Sequence, residues 1–214
     1  MRVLVTAGPT REPLDPVRFI SNRSTGKMGF ALAQAAAERG HAVTLVAGPV
    51  TLPTPPGVRR VDVETALQML AAVQEALPGA DLFIACAAVA DWRPAEPSGT
   101  KLKKSGMDGT LRLARNPDIL KTVAPLKGAR RFVGFAAETG DPEAEALRKL
   151  REKELDLLVA NDVTAPGAGF ATETNRVTLY FAGGERRALP LLPKLDVARA
   201  VLDACEGLPT PKKG

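Results

Sequence analysis

The chemically loaded residues of this chain fall in a few polar runs, and the first is Ser21-Asn22-Arg23-Ser24-Thr25-Gly26-Lys27-Met28-Gly29. It follows a strand-like run, Arg2 to Thr6, and a long polar loop, Ala7 to Asp15, that carries Gly8, Pro9, Arg11 and Glu12. A strand, a polar loop and a glycine-rich helix start make an anion site. The N–H groups of a first helical turn have no partners inside the helix, and aligned peptide dipoles place partial positive charge there, so a phosphate is the natural guest. Neither common nucleotide fingerprint fits. A dinucleotide site needs G-x-G-x-x-G directly after strand one and an acid closing strand two. Here the Gly8 to Gly26 spacing is wrong, and the second apolar run ends Val46-Ala47-Gly48-Pro49. A P-loop needs Ser or Thr after its lysine, whereas Lys27 precedes Met28 and position 21 is serine.

Further candidates lie downstream. Lys101-Leu102-Lys103-Lys104 follows Pro94 and Pro97. Such a run is commonly a solvated face, but in a loop beyond the strand leading to Asp91 it is placed to close over phosphates and neutralise developing charge. Lys149 and Lys153 share a helix face and, on the residues alone, read as surface lysines near a helix C-terminus. Asp91 follows an apolar run and is either a cap or a ligand for a sugar hydroxyl or a metal. Phe135 is either core or a wall for a planar base. Asn22, Asn116 and Asn161 fall at strand ends or loop-to-helix positions, where a ligand would sit. Asn116 equally suits a cap for a helix at Pro117-Asp118, and Ser24 or Thr25 can cap the helix after Asn22. His41, the single histidine, reads as a surface residue, which leaves histidine acid–base catalysis without a candidate.

The elements that must hold these residues alternate. Strand-length apolar runs occur at Val3-Leu4-Val5, Ala42 to Ala47, Asp81 to Cys86, Arg131 to Phe135 and Leu155 to Ala160. Helical patterns cover Gly26 to Arg39, Glu64 to Leu77, Pro117 to Ala124 and Pro142 to Glu154, the last capped by Asp141. The expected fold is α/β: a Rossmann-like doubly wound, mostly parallel sheet with helices on both faces, and ligands beyond the carboxyl ends of its strands. Two loops interrupt it, the Pro- and Lys-rich 88–115 insertion, read as flexible, and Val163 to Thr174. A C-terminal β-hairpin, Arg176 to Phe181 and Arg186 to Leu189 around Gly183-Gly184, precedes a helix from Leu195 to Cys205. Residues 1–208 read as one domain and 209–214 as a disordered tail. A net charge of +5 with scattered basic residues and 4% aromatics gives no stacking platform, so no nucleic-acid partner is expected. No membrane span or signal peptide is read, and Cys86 and Cys205 lack metal or redox spacing, which suits the cytoplasm.

Taken together, Thr6 to Glu12, Ser21 to Gly29, Ala87 to Arg93, Lys101 to Lys104, Asn116 to Leu120, Gly134 to Thr139 and Ala160-Asn161-Asp162 resemble phosphopantothenoylcysteine synthetase over nearly the whole chain. The resemblance implies a ligase of coenzyme A biosynthesis. It transfers CMP from CTP to the carboxylate of 4′-phosphopantothenate, releases pyrophosphate with Mg2+ present, and lets cysteine displace CMP. It also implies roles. Asn22 holds the acyl-nucleotide and Lys101 meets the phosphates as catalytic residues; Ala85, Cys86, Ala87, Asp91, Pro117, Asp118, Ile119, Leu120, Phe135, Lys149 and Lys153 contact the nucleotide. Arg18 and Ala88 join Asn22 at phosphopantothenate. The metal ligands stay unassigned, no flavin chemistry is expected of this chain, and a homodimer pairing through 88–115 is. Thr25 stands where serine is common in the family, and Trp92 where a smaller aromatic is usual.

Overall fold

The computed structural model describes residues 1–103, 109–138, 142–162, 169 and 171–209. Its centre is an eight-stranded sheet of β1 (Arg2–Ala7), β2 (Ala42–Ala47), β3 (Val58–Asp62), β4 (Leu82–Ala85), β5 (Arg131–Glu138), β6 (Leu157–Asp162), β7 (Val177–Phe181) and β8 (Arg186–Ala188). The strands lie in the order β8-β7-β6-β5-β4-β1-β2-β3. The six from β3 to β6 are parallel, and β7 and β8 add antiparallel at one edge. Order 3-2-1-4-5-6 is the doubly wound arrangement, with its switch point between β1 and β4.

Because both faces of a parallel sheet are covered, its strands are apolar on both sides. Val3, Val5, Leu45, Ile84, Val133 and Val159 face α1 (Lys27–Glu38) and α5 (Lys194–Glu206). Their neighbours Leu4, Val46, Phe83, Phe132 and Leu158 face α2 (Ala66–Ala76), α3 (Ile119–Val123) and α4 (Pro142–Glu152). Helix α1 lies hard against β1, since a Cβ on Gly29 would sit 2.4 Å from that of Ala7. This contact brings the start of α1 to the carboxyl end of the sheet.

Strand β3 is an element the sequence reading lacks. Its Val58-Arg59-Arg60-Val61-Asp62 sits at the sheet edge with no fully buried residue, so it carries no apolar run. The helix expected at Pro117 to Ala124 is shorter, Ile119–Val123 followed by a 3₁₀ turn, and its N-cap is Asp118, whose Oδ1 accepts the Lys121 N–H at 3.1 Å. Asn116 is therefore free of the capping role. Neither Ser24 nor Thr25 caps α1: its N-cap is Gly26 in the left-handed conformation (φ 78°), with no side-chain cap. The insertion forms a short antiparallel pair, Trp92–Pro94 with Leu113–Arg115. His41 is half-buried, its Nε2 3.0 Å from Glu206 at the amino ends of the strands. Lys104, the Asp141 cap, most of 163–174 and the tail from 210 lie outside the described residues.

Candidate active site

The crevice at the switch point is closed by the chain itself. Beyond their strand ends β1 and β4 stay zipped together: Ala88 N–H donates to Gly8 O (2.9 Å), Thr10 N–H to Ala88 O (3.3 Å), and Pro9 bridges Ala88. Thr6 and Thr10 hydroxyls accept the N–H groups of Ala87 (3.2 Å) and Ala90 (3.0 Å). On the other side Pro9 presses against the end of β2, where a Cβ on Gly48 would meet the Pro9 carbonyl oxygen at 1.7 Å. A dinucleotide has no seat there.

The open space is displaced by a strand, across the carboxyl ends of β4, β5 and β6. It has two lobes that share Ala87, Val89, Asp91, Leu120, Phe135 and Lys153. The first, about 380 Å³, reaches from the start of α1 and α5 on one face to Lys149 and Leu155 on the other. The second, about 560 Å³, lies toward α3 and is lined by Thr6, Ala85, Trp92 and residues 115–121. Asn116 holds the second lobe's wall in place, donating from Nδ2 to Ala90 O (2.8 Å) and accepting at Oδ1 from Arg93 (3.0 Å).

The first lobe is electropositive. Lys27, Lys149, Lys153 and Lys194 line it, against Asp91 as its one carboxylate among the described residues. Lys153 pairs with Asp118 (2.9 Å) and Lys149 with Glu145 (3.4 Å), while Lys27 pairs with Glu173. Lys194 is 6% exposed, and its partners among the described residues are neutral oxygens: the carbonyls of Gly169 (3.0 Å), Thr172 and Thr174 (3.3 Å) and the Thr172 hydroxyl (3.5 Å). Burial, then the charge of Lys27, lowers its pKa from the usual lysine value, and Glu173 opposes the shift. Burial pushes the Cys86 thiol up to about 12, so it is no nucleophile near neutral pH. The first turn of α1 points its uncapped N–H groups at the same lobe, since Gly26 to Gly29 line it. Lysines and helix dipole together favour a polyanion.

The sequence-derived candidates are mostly gathered here. Ala85, Pro117, Asp118 and Ile119 line the second lobe, Cys86, Ala88 and Lys149 the first, and Ala87, Asp91, Leu120, Phe135 and Lys153 both. Asn22 lines neither lobe but is bonded to two residues that line the first: its Nδ2 donates to Ala88 O and its Oδ1 accepts the Ser24 N–H at 3.0 Å. Arg18 and Lys101 line neither lobe. Arg18 is bound to Asp15 (2.6 Å) and to the carbonyl of Leu102 (3.2 Å), which sets it beside the Lys101 segment. Sequence reasoning missed Lys194; it set Asn161 at a strand end where a ligand would sit but gave it no specific role, and the structure puts it in the first lobe. Among the described residues no group of three or more His, Cys, Asp or Glu could hold a metal ion, and no helix is long and apolar enough to cross a membrane.

The family described as the DNA/pantothenate metabolism flavoprotein C-terminal domain matches residues 1–208. The coenzyme A biosynthesis bifunctional protein CoaBC of Escherichia coli (strain K12) is 52% identical over 207 residues, which are 95% of this chain and 51% of that protein. CoaBC of Bacillus subtilis (strain 168) is 48% identical over 207 residues, 96% of this chain and 51% of its own. The chain thus spans about half the length of the curated relatives it matches. The crystal structure of the C-terminal domain of CoaBC superposes with a TM-score of 0.82 at 46% identity, covering 96% of this chain and 95% of that one.

Proposed function

This chain belongs to the DNA/pantothenate metabolism flavoprotein C-terminal domain family, and from that premise we propose that it is a phosphopantothenate–cysteine ligase of coenzyme A biosynthesis, using CTP. The observation that carries this is the two-lobed cleft, whose lysine-rich lobe suits a triphosphate and whose other lobe offers the backbone of 117–120 to a base and ribose, with Phe135 shared by the two. In the first step the substrate carboxylate attacks the α-phosphorus of CTP, and pyrophosphate leaves with the bond electrons. Lys149, Lys153 and the N–H groups of α1 stabilise the charge that develops, which is the larger part of catalysis in phosphoryl and nucleotidyl transfer. In the second step the amine of cysteine displaces CMP from the acyl carbon. This needs orientation more than a strong base, in keeping with a cleft without histidine.

Magnesium binds through one or two carboxylates plus substrate phosphates. Asp91, the carboxylate common to both lobes, fits that donor set. Asp91 would hold the ion with the triphosphate, and the ion would neutralise phosphate charge. Asn22, held by Ala88, is assigned to the acyl-nucleotide; Lys101, next to the Leu102 that Arg18 binds, is assigned to a segment that moves onto the phosphates, and Arg18 itself to phosphopantothenate. Residues 1–208 act as one synthetase unit in the cytoplasm, and the partner is a second copy of the chain. Its docking face is the exposed apolar set Val17, Phe19, Trp92 and Leu113, carried by the hairpin that pairs Glu12–Pro13 with Phe19–Ile20 and by the pair Trp92–Pro94 with Leu113–Arg115.

The test is pyrophosphate and CMP release by purified protein given CTP or ATP, magnesium, 4′-phosphopantothenate and cysteine. CTP-dependent release of both is expected, and none would overturn the reading. Asn22→Asp is expected to slow amide formation more than pyrophosphate release, since it sets a negative charge against an anionic intermediate. Undiminished turnover by the double variant Asn22→Ala, Lys101→Ala would overturn the site assignment. A reductase reading is disfavoured by the Pro9–Gly48 contact; saturation by NADPH and not by CTP would restore it.

A further inference from the structure

One half of the first lobe lies on the α1–α5 face. Alternation along the strands turns Cys86, Phe135 and Asn161 to that side, with Met28 and Lys194 opposite. Its polar side chains are paired. Lys194 is held by carbonyls, Lys27 by Glu173 and the Ala171 carbonyl (3.4 Å), and Asn175 donates to Met28 Sδ (3.5 Å) and accepts from the Gly169 N–H (3.5 Å). Among the described residues Asn161 Oδ1 is the exception: it is buried and accepts no hydrogen bond. Among the described residues the other such side-chain atom is Arg131 Nε, a donor at the far end of the sheet. A buried acceptor without a donor is destabilising, so one in a ligand cleft signals a donor that the ligand brings.

We propose that Asn161 Oδ1 accepts an N–H of the attacking amine of the amino-acid substrate and aims its lone pair at the activated acyl carbon. This rests on the ligase reading and names the place of its second substrate. The titratable groups facing this half are Lys27 on α1, Lys194 on α5, Cys86 after β4 and Glu173 beside Lys27; Asp91, Lys149 and Lys153 face the other half. The lysines and the α1 dipole oppose a bound ammonium. A neutral amide oxygen orients the amine without restoring that charge, as a carboxylate would. The entering ammonium loses one proton to solvent; its nitrogen lone pair forms the C–N bond. The acyl C–O bond breaks with its electrons going to the departing nucleoside monophosphate, and a second proton passes to solvent as the amide forms.

The experiment compares Asn161→Leu and Asn161→Asp with the unaltered full chain. Pyrophosphate release and amide formation are followed separately while cysteine is varied from about pH 6 to 9. Asn161→Leu is expected to lower kcat/KM for cysteine about 100-fold more than it lowers pyrophosphate release. Asn161→Asp, isosteric, is expected to move the pH profile for cysteine upward by about one unit, because its charge favours the ammonium. Parallel loss of both steps in both variants, or an unmoved pH profile in Asn161→Asp, overturns the inference while the ligase reading stands. No pyrophosphate release from the unaltered chain overturns both.

Discussion

Several polar side chains of the opening segment are spent on the protein itself. Thr6, Thr10, Glu12 and Asp15 are all buried, and Glu12 Oε1 accepts the Ala66 N–H that begins α2 (2.9 Å). Asp15 collects the N–H groups of Val17 (2.8 Å), Arg18 (2.8 Å) and Leu102 (3.2 Å) besides the Arg18 guanidinium. The Arg18 guanidinium holds the Asp15 carboxyl well below the usual carboxylate range, and the backbone donors add to the shift against the effect of burial. A folded pKa below the unfolded one means that its stabilisation is present above the unfolded value, roughly pH 4, and is lost as pH falls through the folded one. Amide exchange at Leu102 is therefore expected to stay slow near neutrality and to gain protection loss only in strong acid, with Asp15→Asn abolishing the pH dependence; a profile unchanged by that substitution would separate Asp15 from the Lys101 segment. Nothing in the sequence distinguished these tethers from ligands, because a carboxylate that binds backbone and one that binds substrate are the same residue type. Lys194 was equally silent: its meaning comes from carbonyls of a segment some twenty residues upstream.

At the level of elements, periodicity carried most of the reading. The buried parallel strands and the four main helices emerged because a strand covered on both faces must be continuously apolar and a helix on a sheet must be amphipathic. Strand β3 escaped because an edge strand needs no such run. The 85–91 and 117–120 loops could be placed at the carboxyl ends of the strands from this order alone. That the open cleft sits over β4 to β6, and not over the switch point, depends on the pairing of Pro9 with Ala88, which no periodicity encodes. The seating of α1 gives a test at this scale. A side chain on Gly29 must push against Ala7 Cβ at 2.4 Å and against Ala7 Cα and Thr6 O at 3.0 and 3.1 Å. Gly29→Val is expected to cost about 1–3 kcal/mol in urea unfolding, the usual penalty of overpacking. It is also expected to weaken nucleotide binding by moving the first turn of α1; unchanged affinity would detach that turn from the phosphates.

For the whole molecule, the cleft and the exposed apolar face adjoin through the insertion that starts at Ala88, since Trp92 both lines the second lobe and stands with Leu113 on that face. Ser98 N–H donates to Leu14 O (2.9 Å), which fastens the insertion to the hairpin bearing Phe19. Placing a charge on an apolar face disfavours its burial, so on the proposed pairing of two copies through this face Phe19→Asp is expected to give a monomer in sedimentation equilibrium where the unaltered chain gives a dimer. A loss of turnover in step with dissociation would indicate that the Lys101 segment needs the second copy. The closed switch point bears on inhibitor selectivity. Enzymes of this sheet order that bind dinucleotides offer the crevice between β1 and β4, which here is filled by Gly8, Pro9 and Thr10. A mimic of those enzymes' cofactors would therefore meet Pro9 where its pyrophosphate must cross, whereas a compound shaped to the two lobes over β4, β5 and β6 needs no part of that crevice.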